Sequence, residues 1–261
     1  MMVIVTTQAT LEKAPATVHL LLTNRCNLNC PRCFYRQTKS EIPIHTIHRL
    51  FTEWHAKGVK AVAIGGGEPF LYPYINETIS AAKRLGFYLA ITTNGTVLPK
   101  LSTPPDRVHI SHDDIHSTSQ SDVEKALKHF KRERVRRVGI NHVVTTVKKA
   151  KATLGLTCDN VTLLVEKPTS QFQDWKALTT LINANPEKVW LDACLAKLLN
   201  TLGLMHFDMP CRQGIYSMSL NADLDASKCS NVKQPIAYTS IENTWQAVRT
   251  QKGCLMDRII N

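Results

Sequence analysis

Three cysteines, Cys26, Cys30 and Cys33, lie within eight residues of one another, directly after an apolar run. Zinc takes four tetrahedral ligands, and its sulfur sites usually come as two pairs. A compact loop with three thiolates can instead hold three corners of a cubic iron–sulfur cluster and leave the fourth iron without a protein ligand. The spacing therefore favours an open iron–sulfur site, and a zinc site is the alternative.

Strand-like and helical patterns alternate over the first 192 residues. Continuous apolar runs, typical of strands covered on both faces, occur at 18–23, 61–64, 88–93, 107–111, 138–144, 161–166 and 189–192. Helical patterns occur at 43–57, 74–85, 122–134 and 172–184, and Ser121 and Glu124 have the spacing of a capping box before the third of these helices. Repeated strand–helix–strand units indicate parallel strands with right-handed crossovers. We therefore predict an α/β fold, either a doubly wound sheet or a complete or partial barrel.

Four unusual segments follow the first four predicted strands. They are the cysteine loop, "GGGEP" (65–69), "TTNG" (92–95) and "SHDD" (111–114). The loops after parallel strands meet at one end of such a fold, and catalytic residues lie there. We therefore expect these four segments to face one cavity.

The cysteine spacing with its following aromatic residue, "CNLNCPRCF", resembles the signature of the radical S-adenosylmethionine (SAM) superfamily. The resemblance covers roughly residues 17–192 and implies a partial (β/α)6 TIM-like barrel. It implies that Cys26, Cys30 and Cys33 ligate a [4Fe-4S] cluster whose open iron chelates SAM, and that Phe34 packs near the adenine. It also implies reductive cleavage of SAM to a 5′-deoxyadenosyl radical that abstracts hydrogen from a substrate, with a flavodoxin- or ferredoxin-type electron donor.

The same resemblance implies roles for the other segments. "GGGEP" is similar to the family's Gly-Gly-Glu segment, in which the backbone and the carboxylate hold the SAM amino group. "TTNG" resembles a third-strand segment that touches SAM, although a plain Asn-Gly turn is the alternative. The residues that the resemblance assigns to SAM binding are Gly66, Gly67, Glu68, Thr93, Asn94, Ser111, Asp113 and Asn141.

Two further polar stretches face either a ligand or only solvent. His112 stands where the family more often has an aliphatic residue, and with Asp114 and His116 it could form a substrate-facing patch or a solvated loop. The stretch "KHFKRERVRR" (128–137) is either a solvated face or a dock for a leader peptide, an acidic redox partner or RNA. It lacks the interleaved aromatic residues that stack on single-stranded nucleic acid, so nucleic-acid binding is not supported.

The pattern changes after about residue 193, and we predict a barrel domain over 1–192 and a small module over 193–261. The stretch from Cys211 to Cys229 resembles the start of the twitch and SPASM modules, which carry auxiliary iron–sulfur clusters. Leu224 takes the place of the usual glycine, so a tight turn there is in question. "SIENTWQAV" is similar to the family's linking helix.

The cysteines of this C-terminal segment are the candidate ligands of a second cluster. The resemblance implies Cys211, Cys229 and Cys254, and Cys194 is the favoured fourth ligand because it is closer to the module than Cys158. The alternative is that these are ordinary buried thiols. Cys158 is expected to be a core residue.

Composition limits the setting in which this chemistry would occur. The sequence has eight cysteines and no run of 18 apolar residues, and its start lacks the pattern of a signal peptide. We therefore expect a cytoplasmic protein with no membrane span, in which cysteines serve metal binding or catalysis rather than disulfides. The net charge of +11 fits an anionic partner, or offsets the negative charge of a thiolate-ligated cluster.

The leading hypothesis is a radical SAM enzyme with an auxiliary cluster that acts on a ribosomally made peptide. A dehydrogenase or rearrangement enzyme acting on a small molecule or a nucleotide is the alternative within the same class. The alternative of another class is a non-catalytic iron–sulfur electron carrier or a zinc protein. Such a protein needs the same cysteines but has no use for "GGGEP".

Overall fold

A computed structural model describes residues 8–33, 39–167, 172–207, 211, 213–230, 232 and 234–254. Within this part of the chain, one ten-stranded sheet has the order β10-β9-β8-β1-β2-β3-β4-β5-β6-β7. Strands β1 to β7 are parallel neighbours in chain order. The fold is therefore an α/β fold with a parallel sheet, and β10 and β7 are its two open edges.

The strands are short, and most of them are largely buried. They are β1 (Thr17–Thr23), β2 (Ala61–Gly66), β3 (Tyr88–Thr93), β4 (Arg107–Ser111), β5 (Arg137–Val143), β6 (Val161–Leu164), β7 (Val189–Leu191), β8 (Ser217–Leu220), β9 (Asp225–Ser227) and β10 (Ile236–Ala237). The helices between them are α1 (Gln8–Lys13), α2 (Ile44–Ala56), α3 (Ile75–Arg84), α4 (Gln120–Arg132), α5 (Val147–Leu154), α6 (Trp175–Asn183), α7 (Ala193–Thr201) and α8 (Ile241–Arg249).

The seven predicted strands are all present, but the helices differ from the prediction in two ways. The pattern did not predict α1, α5 or α7, which are short. The predicted capping box at Ser121 is wrong, because the cap of α4 is Ser119. Its hydroxyl accepts a hydrogen bond from the Asp122 backbone N–H and donates one to the Asp122 carboxylate. This pair has the same three-residue spacing, two residues earlier in the chain.

The C-terminal segment continues the main sheet. β8 pairs in parallel with β1 on the side opposite β2. Trp245 of α8 is fully buried and donates its indole N–H to the Leu11 carbonyl at 2.7 Å. Tyr238 donates to Glu53 of α2 at 2.8 Å. The Ile241 N–H at the start of α8 also donates to Glu53, at 2.6 Å. These contacts tie the last described helix and the residues before it to the first two helices, and the division of the chain near residue 193 stays a prediction.

The β8–β9 turn forms without the glycine that the module resemblance would place at residue 224. Leu224 itself adopts the left-handed conformation, with φ 61°. The Asn221 side-chain oxygen accepts hydrogen bonds from the backbone N–H groups of Asp223 at 3.0 Å and Asp225 at 2.8 Å. The asparagine thus holds the tight turn that the sequence had put in question.

A second non-glycine residue in the left-handed region, Arg134, ends α4 with φ 61°. Its N–H donates to the Lys131 carbonyl, and the next N–H, of Val135, donates to the Phe130 carbonyl. Together these bonds form a Schellman motif, in which glycine is the favoured residue. After α3 the same pair of bonds surrounds Gly86, with φ 77°.

We predict that Arg134→Gly raises the free energy of unfolding by about 0.5–1 kcal/mol, because relief of the left-handed conformation exceeds the entropic cost of glycine. Arg134 is exposed, so little packing is lost. Denaturant unfolding measures the change. The control is Arg136→Gly, an exposed site outside the left-handed region, which should be destabilising. Equal losses of stability in both variants would contradict this reading.

Candidate functional site

The inner face of the parallel strands encloses a cavity of about 1550 Å³. Its rim consists of the loops that follow the strands, and its walls consist of inward-facing side chains of β1 to β7. Sites for one small molecule usually measure about 300–1,000 Å³. The cavity therefore has room for more than one ligand.

The structure brings most of the predicted site residues to this one cavity. Glu68, Cys194, Cys211 and Cys229 are not part of its lining, and Phe34 lies outside the described residues. The predicted residues that line it are Cys26, Cys30, Cys33, Gly66, Gly67, Thr93, Asn94, Ser111, Asp113, Asn141 and Cys254.

The three cysteines share one loop at the rim. Cys26 and Cys30 are half-buried and Cys33 is exposed. The Cys26 sulfur accepts hydrogen bonds from the Leu28 backbone N–H at 3.5 Å and from the Asn94 side-chain amide at 3.8 Å. Burial raises the pKa of the Cys26 thiol and the Leu28 hydrogen bond opposes the rise, whereas a bound metal would hold the thiol deprotonated.

These residues fit a cluster of several irons. In the described part of the chain, no three His, Cys, Asp or Glu side chains converge around a single metal ion. The three thiols belong to one loop at the rim of one cavity, and a set of three sulfur donors suits an iron–sulfur cluster. Ligands of a cubic cluster bind separate irons, and hydrogen bonds to sulfur such as those at Cys26 are among the features that tune such clusters.

The glycines of "GGGEP" let the end of β2 pack against the base of the cysteine loop. The Gly67 N–H donates to the Thr23 carbonyl at 2.7 Å, and the Glu68 N–H donates to the Arg25 carbonyl at 2.8 Å. A Cβ on Gly67 would lie 2.1 Å from the Arg25 carbonyl oxygen. Gly66 has φ 118°, and its Cβ would lie 2.4 Å from the Thr23 oxygen. Side chains at these two positions would push the loop away.

Glu68 is fully buried and connects β2 to β3. Its carboxylate accepts hydrogen bonds from the Phe70 N–H at 3.0 Å, the Thr93 hydroxyl at 2.8 Å and the Asn94 N–H at 2.7 Å. Burial raises the pKa of Glu68, and these three hydrogen bonds oppose the rise. The side chain therefore positions Asn94, whose amide reaches the Cys26 sulfur. A contact between Glu68 and the SAM amino group stays a prediction.

Asp113, after β4, has a buried carboxylate that organises the next loop. It accepts hydrogen bonds from the Ile115 N–H at 2.8 Å and the Val143 N–H at 3.1 Å, and it contacts His116 Nδ1 at 2.9 Å. Burial would raise the pKa of Asp113, but the hydrogen bonds from His116 and the backbone bring it below the usual value.

Of the predicted polar patch after β4, only His116 lines the cavity. His112 is buried. Asp114 forms an ion pair with Lys149 at 3.0 Å and accepts a hydrogen bond from Thr145 at 2.6 Å. The interpretation of all three residues as one patch facing the cavity is therefore wrong.

Two ion pairs at the ends of β6 and β7 complete the rim, and sequence reasoning missed both. Arg32 of the cysteine loop pairs with Glu166, and Lys167 pairs with Asp192 at 3.0 Å. Burial would lower the pKa of Lys167, but the neighbouring Asp192 and Cys194 together raise it above its usual value. The sequence signal was the charged "VEK" at the end of a predicted strand. The Arg32 pair ties the cysteine loop to the far side of the cavity.

The C-terminal cysteines lie in two places. Burial raises the pKa of the Cys194 thiol to about 12, and Cys211 lies near enough to contribute to that rise. Cys254 lines the main cavity, and so does Ser230, the neighbour of Cys229. Hydrogen bonds from Lys228 to Gln251 join these last two segments.

The basic stretch 128–137 lies at the opposite end of the molecule from the cysteines. It comprises the end of α4 and the turn into β5, so it lies at the amino ends of the strands. The cysteine loop follows the carboxyl end of β1. A partner bound to this stretch would therefore not contact the cavity rim.

The fold and the three-cysteine rim define a class, the enzymes that bind SAM at an iron–sulfur cluster in a partial parallel barrel. The model of the radical SAM superfamily matches residues 20–175, more than half of the sequence. The chain belongs to the radical SAM superfamily.

Curated relatives in this superfamily include two kinds of cyclase. The chain is 32% identical over 106 residues to the probable GTP 3′,8-cyclase of Methanothermobacter marburgensis. This match covers 37% of this chain and 35% of the relative. It is 33% identical over 109 residues to the PqqA peptide cyclase of Gluconobacter oxydans, and this match covers 40% of this chain and 30% of the relative. The chain thus matches about a third of the length of these relatives.

Solved structures share the fold. Streptococcus suis SuiB bound to SAM superposes with a TM-score of 0.74 at 16% identity, covering 91% of this chain and 68% of that one. SuiB bound to its precursor peptide SuiA superposes with a TM-score of 0.73, and the superposition covers 92% of this chain and 68% of SuiB. At this identity the likeness concerns the fold alone.

Among the described helices, none combines the length and the apolar character that crossing a membrane requires.

We predict that Gly67→Ala lowers both the free energy of unfolding and the iron bound after anaerobic reconstitution, because the new Cβ would overlap the Arg25 carbonyl. Gly65→Ala is the matched control, since a Cβ there meets only the Leu21 side chain at 3.7 Å. Iron analysis and denaturant unfolding report the two effects. Full iron binding by the Gly67→Ala protein would show that the close approach does not hold the loop.

Proposed function

We propose that this chain is a radical SAM enzyme that matures a ribosomally made peptide. The observation that supports the proposal is the size of the cavity beside the cysteine loop, about 1550 Å³, which leaves space for a substrate next to the cofactors. A peptide substrate fits the names of two similar proteins, the PqqA peptide cyclase and SuiB with its precursor peptide. The PqqA peptide cyclase is similar to this chain over 40% of its sequence, and SuiB is similar to it in fold.

The residues of the chain would hold and shield the cofactors. Cys26, Cys30 and Cys33 would ligate the cluster, and Asn94 would donate a hydrogen bond to the Cys26 sulfur. When bound, the cluster and SAM supply a 5′-deoxyadenosyl radical that removes hydrogen from the substrate. Polar groups at the strand ends, among them Ser111, would orient SAM within the cavity.

A nucleotide or another small molecule is the second candidate substrate. The observation in its favour is the similarity to GTP 3′,8-cyclases and to an S-adenosylmethionine-dependent nucleotide dehydratase of a Thermoplasmatales archaeon, which is 32% identical over 84 residues. Incubation of the reconstituted enzyme with SAM and either GTP or candidate precursor peptides, followed by mass spectrometry, separates the two.

The electron donor, proposed to be of the flavodoxin or ferredoxin type, would approach at the rim. Cys33 is exposed there, on the loop that would carry the cluster. The basic stretch 128–137 lies at the other end of the strands. We therefore assign the donor to the cysteine-loop side rather than to the basic stretch.

We predict that the reconstituted and chemically reduced protein releases 5′-deoxyadenosine from SAM, and that Cys30→Ala abolishes this release. Loss of one of three protein ligands should prevent assembly of the cluster that cleaves SAM. Cys158→Ala is the matched control, because Cys158 lies outside the cavity lining and packs against the hydrophobic core. Chromatography of the reaction measures the product. A wild-type protein that binds iron but releases none would be an electron carrier instead.

We also propose an auxiliary iron–sulfur cluster held by Cys194, Cys211, Cys229 and Cys254. Two observations support it: Cys211 lies near Cys194, and hydrogen bonds from Lys228 to Gln251 join the segments of Cys229 and Cys254. The turn at Leu224 also keeps the shape that a glycine would provide.

We predict about eight irons per wild-type chain and about four in Cys229→Ala, because each cubic cluster contributes four. Iron and sulfide analysis after anaerobic reconstitution gives the count. Cys158→Ala again serves as the control and should retain the wild-type value. About four irons in the wild-type protein would remove the auxiliary cluster from the proposal.

A further inference from the structure

The walls of the cavity below the rim are unusually polar. In closed parallel barrels this interior is packed with branched apolar side chains. Here the inward-facing residues include polar and charged groups on five strands: His19, Thr92, Arg107, His109, Asn141 and Thr162. A polar interior of this kind indicates that part of a ligand reaches below the strand ends.

Arg107 is the distinctive member of this set. It is the first residue of β4, at the floor of the cavity. Among the described residues, no carboxylate lies within ion-pair distance of its guanidinium. Its nearest charged neighbours include another cation, Arg137, and both guanidinium groups lie over the Trp190 ring, at 5.8 Å and 4.7 Å from its centroid.

A partly buried guanidinium without a counter-charge is an unfavourable arrangement. Burial lowers the pKa of Arg107, Tyr88 opposes this fall and the charge of Arg137 adds to it, and the net lowering reflects the cost of the unpaired charge. An anion bound at the floor would offset it. The planar guanidinium has a fork of N–H donors that matches a carboxylate or a phosphate.

Two histidines beside Arg107 add uncharged hydrogen-bonding groups. Burial and the Arg107 charge lower the pKa of both His19 and His109 to about 4, so both are neutral at pH 7. His109 Nδ1 contacts the Asn141 side-chain oxygen at 2.8 Å. A Cβ on Gly139 would lie only 2.8 Å from His109 Nε2. The glycine therefore makes room for the ring, and Arg107 supplies the charge at this end of the cavity.

The charges along the cavity select a ligand with a single negative charge at this point. Two other basic residues of the described lining, Arg32 and Lys167, are paired with Glu166 and Asp192. A third, Lys252, lies on the C-terminal segment beside Cys254 rather than on a strand. At the floor, Arg107 is the cation that the described lining presents to a ligand, because Arg137 is not part of that lining. That suits one carboxylate better than a nucleoside triphosphate, which carries several negative charges.

We propose that Arg107 binds a carboxylate of the substrate at the floor of the cavity, while the reacting carbon lies near the rim. Four residue steps along β4 separate Arg107 from Ser111, or about 13 Å at the rise of a β-strand. The substrate would thus present an acidic side chain or a C-terminal carboxylate at about this distance from the reacting C–H bond. This inference rests on the proposed function for the reaction and adds to it the chemical class of the substrate. Binding of a carboxylate at Arg107 does not itself require that reaction.

We predict that glutarate, used as a carboxylate probe, binds the reconstituted full-length chain with SAM bound, and that Arg107→Met weakens it by about 10- to 100-fold, the loss expected for a charge-assisted hydrogen bond. Arg107→Lys keeps the charge and should weaken binding less. Isothermal titration measures both. The control is Lys128→Met, which removes the same charge from an exposed position outside the cavity.

Three results would overturn the proposal: no saturable glutarate binding to the wild type, unchanged binding to Arg107→Met, or tripolyphosphate binding at least tenfold more tightly than glutarate. Thermal unfolding of the ligand-free proteins guards against a folding defect, because removal of an unpaired charge should leave the midpoint equal or higher. Glutarate binding requires no SAM cleavage. A wild type that binds glutarate without releasing 5′-deoxyadenosine would therefore contradict the proposed function and leave the carboxylate site standing.

Discussion

Two backbone hydrogen bonds, from Gly67 to Thr23 and from Glu68 to Arg25, join the end of β2 to the base of the cysteine loop. They form only because no side chain separates the two segments at Gly67. The Glu68 carboxylate then accepts the Asn94 N–H, and the Asn94 amide reaches the Cys26 sulfur. Three successive parallel strands thereby position one loop, and the site inherits the rigidity of the sheet.

The same strands leave space instead of packing their interior. Small residues, Ala63 and Ala90, face the cavity from two of them, and Gly139 on a third makes room for the His109 ring. The apolar core lies on the other face, where residues such as Leu20 and Val62 are fully buried beneath the helices. Stability and ligand binding are therefore carried by opposite faces of the sheet, so that polar groups such as His109 are accommodated without interrupting the core.

The strands and the loops after them were predictable, because continuous apolar runs and punctuating Gly-rich or Cys-rich segments are local signals. The hydrogen bonds of Glu68 and the position of Arg107 over Trp190 were not, because each depends on partners from other strands that are distant in the sequence. At Leu224 the sequence suggested that the turn would be lost, because glycine is usual there. The turn forms all the same, with Leu224 in the left-handed conformation and the Asn221 side chain bonded to the turn backbone. The cap at Ser119 was missed because Ser121 offered the same spacing.

Anomalous X-ray scattering at the iron edge, from crystals of the anaerobically reconstituted chain, tests the central claim most directly. The account predicts a cubic iron cluster at the rim of the cavity, with the sulfurs of Cys26, Cys30 and Cys33 on three irons and no protein sulfur on the fourth. A single tetrahedral metal ion held by this loop, or iron bound only at the C-terminal cysteines, would contradict it.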